Sequence, residues 1–122
     1  MANWCNNTVV FLGTPEAIAQ ITALFQKIVE MGQQIDFDRL PDFLRGTEEC
    51  FFCYISFNHD GMVKYESKWS PNIEAVLQIA MHYEVDFVMD YQEVGNCIFG
   101  RATYAKGIYN NICSDPTEFD RL

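Results

Sequence analysis

Basic residues are scarce in this 122-residue chain: eight Lys and Arg accompany 17 Asp and Glu, which gives a formal charge of −9 at pH 7. Proteins that bind duplex nucleic acid neutralise its phosphates with clustered Lys and Arg. The composition therefore disfavours duplex nucleic acid as a partner. It suits a protein whose partners are basic or neutral, or one that imitates an anionic surface.

Export and membrane signals are missing as well. Residues 1–4 do not combine a basic segment with an apolar one, so we expect no signal peptide. No apolar run approaches the length that spans a bilayer, and we expect no membrane association. The five cysteines are odd in number and scattered. We therefore predict free thiols in a cytoplasmic protein, with no disulfide needed for folding.

Histidine, a frequent metal ligand and general base, occurs only twice. His59 falls in a predicted turn and His82 near a predicted helix end. Neither has a second His, Cys or Asp at metal-ligand spacing. No Ser-His-Asp arrangement can be assembled from the sequence either. We predict a protein that is not an enzyme and has no catalytic residues, no metal site and no cofactor, and in which both histidines are solvated.

Two short spacings imitate binding motifs. Cys50 and Cys53 have C-x-x-C spacing, but they fall in a predicted strand, where residues three apart point to opposite faces. Such thiols cannot readily share a metal, and they lack the helix N-terminus that activates a redox pair. The acidic run Asp36-x-Asp38-x-x-x-Asp42 lacks the glycine and the terminal Glu of a calcium loop. We interpret the cysteines as buried structural residues and the acids as a solvated loop.

Apolar residues are plentiful, at 49% of the chain with 15% aromatic, which is typical of a folded protein. We predict a single domain over residues 1–122. Thr14-Pro15 and Ser70-Pro71 each join an N-cap residue to a proline suited to the first helical position, so they predict two helix starts. The second helix should end near Tyr83. Apolar residues at helical spacing follow each start: Ile18, Ile21, Phe25 and Ile28 in the first helix, and Ile73, Val76, Leu77 and Ala80 in the second.

Six other segments read as strands, bounded by turn residues. Asn58-His59-Asp60-Gly61 should close a hairpin, and the pairs Gly95-Asn96 and Lys106-Gly107 should form two further turns. Residues 1–7, which are rich in Asn, are expected to favour turns. The predicted strands cover 8–12, 50–57, 62–69, 85–91, 97–104 and 108–113.

The resulting element order is β-α-β-β-α-β followed by β-β. It predicts an α+β fold, a ferredoxin-like split β-α-β sandwich whose antiparallel sheet carries both helices on one face. The last two strands form an added C-terminal β-hairpin that extends the sheet beside the fourth strand. Residues 33–49 are expected to be an irregular acidic insertion, and residues 114–122 an acidic tail.

Two segments carry a resemblance to a known family. The opening Met1-Ala2-Asn3-Trp4-Cys5-Asn6-Asn7, followed by residues 8–13, resembles the start of the YubB-like ferredoxin-like domain family. The segment Lys68-Trp69-Ser70-Pro71-Asn72, where the third strand gives way to the second helix, is similar to a second recurrent segment of that family. The resemblance implies an origin on plasmids, phages or other mobile elements. It also implies the ferredoxin-like fold, and it implies no catalytic residues.

Two tryptophans suggest a binding site. Trp4 and Trp69 each neighbour polar turn residues, as an aromatic anchor with a hydrogen-bonding partner would. The alternative, which we favour, is that both rings pack at the end of the sheet while the Asn side chains cap backbone groups. We expect Trp69 to be largely buried where the sheet meets the second helix. The candidate binding residues are Trp4, Asn6, Asn7, Tyr54, Lys68, Trp69 and Asn72.

The favoured function is a non-catalytic binding module for a protein partner or a second copy of the chain. Two helices are too narrow to cover six strands, so about two strands should stay uncovered on that face unless residues 33–49 or a second subunit cover them. The contact would be such an uncovered sheet face or the acidic surface. The apolar residues affected by the missing cover are Ile98, Ala102, Tyr104 and Ile112.

Two alternatives remain open. The first is single-stranded nucleic-acid binding on the open sheet face, where Glu66, Asp86 and Asp90 would weaken it. The second is an acidic decoy that blocks a nucleic-acid-binding protein. The residues that would contact a single strand are Phe52, Tyr54, Lys64, Lys68, Phe99 and Arg101.

Overall fold

The computed structural model describes residues 4–30, 53–58, 60–68, 72–93 and 98–114. Within these residues the chain forms six strands and two helices. The sheet has the strand order β2-β3-β1-β4-β5-β6, and every neighbouring pair is antiparallel. The elements are β1 (Trp4–Leu12), α1 (Pro15–Glu30), β2 (Cys53–Phe57), β3 (Met62–Lys68), α2 (Ile73–Tyr83), β4 (Asp86–Glu93), β5 (Ile98–Ala105) and β6 (Ile108–Ser114).

This architecture confirms the predicted α+β fold. The first four strands have the order 2-3-1-4 that a split β-α-β unit produces. The final hairpin, β5 and β6, extends the sheet beside β4, as predicted. Neither described helix is long and apolar enough to cross a membrane. The predicted acidic insertion at 33–49 lies outside the described residues, and so does the predicted tail of 114–122 apart from Ser114, which ends β6.

One hydrophobic core joins the two helices to one face of the sheet, which we call the helix face. Alternate strand residues point into it, since side chains of a strand alternate between faces. Phe11 of β1, Phe25 of α1 and Phe87 of β4 form its aromatic centre, with ring centroids 6.2 and 6.4 Å from Phe11. The α1 face predicted by helical spacing is the buried one. Its members are Ala17, Ile18, Ile21, Leu24, Phe25 and Ile28.

Three of the predicted turn and cap signals are confirmed by their hydrogen bonds and backbone angles. The Thr14 hydroxyl accepts the Ala17 N–H at 3.2 Å and caps α1. Asn58 Oδ1 accepts the N–H groups of Asp60 and Met62, which shapes the turn between β2 and β3. Lys106 and its following glycine both have positive φ, as the tight turn between β5 and β6 requires.

Two predicted boundaries are wrong. β1 begins at Trp4, not at residue 8, because β3 and β4 pair with it on both sides and supply backbone partners to the Asn-rich segment. Helix α2 begins at Ile73 and its N-cap is Asn72, not Ser70. The Asn72 backbone is non-helical and its side chain makes no cap bond, since that side chain binds Tyr65. Residues 69–71 lie outside the described residues.

The expected gap over the last two strands is partly filled by aromatic side chains. Tyr104 of β5 stacks on Phe87 at 6.1 Å, and Ala102 is fully buried, so the prediction that Ala102 is uncovered is wrong. The Tyr91 ring lies over Gly100, where an added Cβ would sit 2.0 Å from Cζ of the ring. The Tyr91 hydroxyl then donates to Asn111 Oδ1 at 2.8 Å. These rings reach positions over β5 and β6 that two helices are too narrow to cover.

Ile112 was also expected among the poorly covered apolar residues of the helix face. It lies on the opposite face, because its cross-strand partner is Arg101. It is 73% exposed there. The side chain of Ile98, the remaining residue of that prediction, lies outside the described residues.

Candidate functional site

The face of the sheet opposite the helices, which we call the open face, has no described helix or loop against it. Cross-strand register places its side chains in rows that run across the strands. The middle row consists of Ser56, Lys64, Thr8, Asp90, Arg101 and Ile112. The row on one side consists of Glu66, Asn6, Gln92 and Phe99, and the row on the other side of Met62, Val10, Val88, Thr103 and Asn110.

An ion pair occupies the middle row. Arg101 Nε donates to Asp90 Oδ1 at 2.6 Å and its Nη2 donates to Asp90 Oδ2 at 3.2 Å. These bonds raise the pKa of Arg101 above its usual value. Both side chains are more than half exposed, so the pair adds little to stability, but it occupies the guanidinium. Lys64 lies two strands away in the same row.

Acids outnumber bases among the described charged side chains of the open face. The acids are Glu66, Asp86 and Asp90, and the bases are Lys64 and Arg101. The aromatic and basic residues proposed to contact a single strand do share this face, as far as they are described: Tyr54, Lys64, Phe99 and Arg101. Phe52 lies outside the described residues, and so does the side chain of Lys68.

Apolar side chains are concentrated at one end of the open face, in the rows that contain Val10 and Leu12. Leu12 of β1 and Ile108 of β6 are 53% and 64% exposed. Val10 and Val88, in the next row, are half-buried. The apolar run 8–12 predicts a buried strand, but only its odd-numbered residues are buried, and its even-numbered residues lie on the open face. Burial along this strand has a two-residue period, but a continuous run of apolar residues does not reveal that period in the sequence.

An aromatic corner links β1 to the edge strand β2 across the intervening strand β3. The rings of Trp4 and Tyr54 meet edge to face, with centroids 6.0 Å apart. The register of β2 shifts between Cys53 and Ser56, and Tyr54 has a positive φ of 54°. Tyr54 is 74% exposed, and Trp4 is 36% exposed. Three predicted candidates, Trp4, Asn6 and Tyr54, therefore lie at one end of the open face.

Two other candidates are buried on the helix face instead. Asn7 Nδ2 donates to Ser67 Oγ at 3.0 Å and to the carbonyl of Cys5 at 3.1 Å, with the Tyr65 carbonyl at 3.4 Å. Asn72 Oδ1 accepts the Tyr65 hydroxyl. These contacts tie β1 to β3 and β3 to the start of α2. The structure thus separates the candidates. One group is exposed, whereas Asn7 and Asn72 belong to a buried polar cluster that also contains Cys5, Tyr65 and Ser67. Trp69 lies outside the described residues.

The buried cluster contains a thiol with altered acidity. Cys5 is fully buried, and its Sγ donates to Asn7 Oδ1 at 3.6 Å. Burial raises the pKa of the Cys5 thiol from 9.0 to about 11, although a hydrogen bond with Ser67 opposes this. A thiol that stays protonated at neutral pH is a poor nucleophile. The cluster is therefore suited to holding the fold together, in agreement with the free thiols predicted for Cys5 and Cys113.

Alkylation should distinguish these two thiols. At pH 8, Cys5 in the folded protein should react with iodoacetamide at least about 100-fold more slowly than in the unfolded chain, since a pKa two units higher reduces the thiolate about 100-fold. Exposed Cys113 provides the internal control in the same peptide map. The raised pKa also means that the Cys5 contribution to stability is complete below pH 9 and is lost as pH rises towards 11. Equal rates in folded and unfolded protein would contradict this assignment.

A shallow groove of about 420 Å³ runs beside the first turns of α1. Among the described residues of its lining, Asp60 is the one with an ionisable side chain. In the described part of the chain, no three His, Cys, Asp or Glu side chains are placed to hold a metal. His82 lies against the ring of Tyr83, and His59 is outside the described residues. The absence of catalysis, metal and cofactor stays a prediction.

A comparison with known families gives one match. The family model described as the ferredoxin-like domain in Api92-like protein matches residues 51–121. The match includes β2 through β6 and leaves out β1, which nevertheless pairs with β3 and β4 in the middle of the sheet. The chain matches no curated protein and no solved structure.

Proposed function

The chain belongs to the family of the ferredoxin-like domain in Api92-like protein, and within this fold we propose that it is a non-catalytic module that binds a protein through its open face. The observation that carries the proposal is the composition of that face. Apolar side chains from β1, β4 and β6 lie next to charged ones from β3, β4 and β5. Protein interfaces commonly combine an apolar centre with a polar rim.

The apolar part of the open face supports this reading most directly. Leu12, Ile108 and Ile112 are each more than half exposed on the open face, whereas a position on the helix face would allow such side chains to be buried. Extended exposed apolar patches are typical of interaction surfaces. The aromatic corner of Trp4 and Tyr54 adds large side chains of the kind that carry binding energy in protein interfaces.

The charges favour a protein partner over a nucleic acid. Single-stranded nucleic acid requires a positively charged groove with aromatic side chains for stacking. Here Arg101 is engaged by Asp90, and the described acids outnumber the described bases on the open face. In the middle of the open face, the central strands β1 and β4 carry Asn6, Thr8, Val10 and Val88 in place of stacking rings. An acidic decoy is the second candidate, supported by the overall charge of −9.

The finer assignment to YubB-like proteins of mobile elements is part of the same proposal. It rests on the Asn3-Trp4-Cys5 opening, which precedes the segment matched by the family model. A cytoplasmic location is proposed with it, in keeping with the free thiols of Cys5 and Cys113. The partner would then be a protein of the host cell or of the element itself.

Site-specific cross-linking tests the proposed surface. A photoreactive amino acid would replace Thr8, in the middle row of the open face, and in a matched control it would replace Gln20, on the exposed side of α1. In extracts of the source cells, the Thr8 variant should give a discrete adduct that resists nuclease. The Gln20 variant should not. Leu12→Glu, which places a charge in the apolar part of the face, should abolish the adduct without unfolding the protein.

Two results would contradict the proposal. The first is equal adduct formation from both positions. The second is a nuclease-sensitive adduct, which would favour the nucleic-acid alternative. In that case the affinity for a single-stranded oligonucleotide, measured by fluorescence titration, should fall steeply as the salt concentration rises, because counterions are released on binding.

A further inference from the structure

The two edges of the sheet differ in how they are protected. β2, at one edge, has a register shift next to the positive φ of Tyr54 within its described residues. A bulge is a device that prevents an edge strand from pairing with another chain. β6, at the other edge, has seven residues in unbroken register with β5. Its sequence IYNNICS contains no charge, no proline and no bulge.

The β5–β6 turn fixes which backbone groups of β6 point outwards. In a hairpin with a two-residue turn, the closing pair, here Ala105 and Ile108, exchanges hydrogen bonds, and bonded pairs then alternate along the ladder. Ile108, Asn110 and Ile112 therefore direct their backbone groups to β5. Tyr109 and Asn111 direct theirs away from the sheet, and β5 is the one neighbour of β6 among the described strands.

From this geometry we infer that β6 pairs antiparallel with β6 of a second copy and joins two sheets into one. A two-fold axis at Asn110 pairs Tyr109 with Asn111 of the other copy, so the outward backbone groups of both residues find partners. The same register places Ile108 beside Ile112 of the other copy on the open face. These two are among the most exposed apolar side chains of the described residues.

The uncharged, self-complementary sequence of β6 favours a second copy as the partner. The chain carries −9 overall, so most surfaces of two copies repel one another. β6 is an uncharged strand, and in this register its polar and apolar residues each meet a residue of suitable chemistry. A symmetric contact needs such self-complementarity. The pairing uses an edge of the sheet and does not depend on the proposed function of the open face.

Sedimentation and disulfide trapping test this inference on the full chain. The average mass should rise towards twice the monomer mass as concentration increases from micromolar to millimolar. In a Cys113→Ser background, Asn110→Cys should form an intermolecular disulfide in mild oxidant, because the two residues at the axis face each other in a non-hydrogen-bonded pair about 4.5 Å apart at Cα. Peptide mapping identifies the bond and separates it from bonds of the other cysteines.

Ile112→Cys is the matched control, since it lies on the same face of the same strand and is exposed. Its two copies would stand four residues apart in register, beyond disulfide reach, so it should cross-link far less. A monomeric mass up to millimolar concentration would overturn the pairing. Equal cross-linking of both variants would overturn it as well. Neither result would bear on the cross-linking from Thr8.

Discussion

Asn7→Leu should lower the free energy of unfolding by about 1–3 kcal/mol or more, because it leaves buried polar groups without a partner. The Asn7 amide bonds β1 to β3 through the Ser67 hydroxyl and contacts two backbone carbonyls. Leucine is similar in size but can neither donate nor accept. Urea unfolding followed by circular dichroism measures the change, and the midpoint should fall while the slope stays constant.

The neighbouring residue is a matched control. Asn6 is also asparagine and lies in the same strand, but it points to the open face and is exposed. Asn6→Leu should change stability by less than about 0.5 kcal/mol, as surface substitutions usually do. If Asn7→Leu left the midpoint unchanged, its bonds would not be structural and Asn7 would return to the candidate binding residues.

Phe87→Ala should have the larger effect, with a loss of about 3–5 kcal/mol in the free energy of unfolding. Phe87 is 1% exposed and contacts Phe11 on one side and Tyr104 on the other. Removing its ring leaves a cavity between the central strands and β5. Because Tyr104 helps to cover the helix face of the final hairpin, we also expect faster amide hydrogen exchange in β5 than in the wild-type protein.

The adjacent residue again provides a control. Val88 pairs with Val10 on the open face and is half-buried. Val88→Ala should cost clearly less than Phe87→Ala in the same urea assay. Equal losses would contradict the assignment of Phe87 to the core and would indicate that the open face is covered.

Much of the fold could be predicted from local signals. Three boundaries were marked by local residues: the start of α1 by Thr14 and its following proline, and two turns by Asn58 and Lys106. At each of them the cap or turn is formed by neighbouring residues of the chain. The alternation of apolar and polar residues in 85–91 predicted which side chains of this strand are buried, since a strand with one face exposed to water shows a two-residue period. Local signals are reliable where the partner is local.

The errors occurred where the partner is distant in sequence. Asn6 and Asn7 suggested a turn, but two neighbouring strands supply their backbone partners. The N-cap position of α2 is Asn72, not Ser70, and the Asn72 side chain accepts the hydroxyl of Tyr65 in β3 and makes no cap bond. Tertiary pairing outweighs a local preference of this size.

The element order and the α+β class could be predicted without a structure, because hydrophobic periodicity and turn residues are local properties of the chain. The face that each candidate residue occupies depends on the assembled sheet. The fold placed Trp4, Asn6 and Tyr54 on the open face and buried Asn7 and Asn72, since cross-strand register fixes which side chains meet. It also placed β6 at an edge of the sheet, with β5 as its one described neighbour and no bulge between them. Register and edges arise from long-range pairing, and no single segment of the sequence records them.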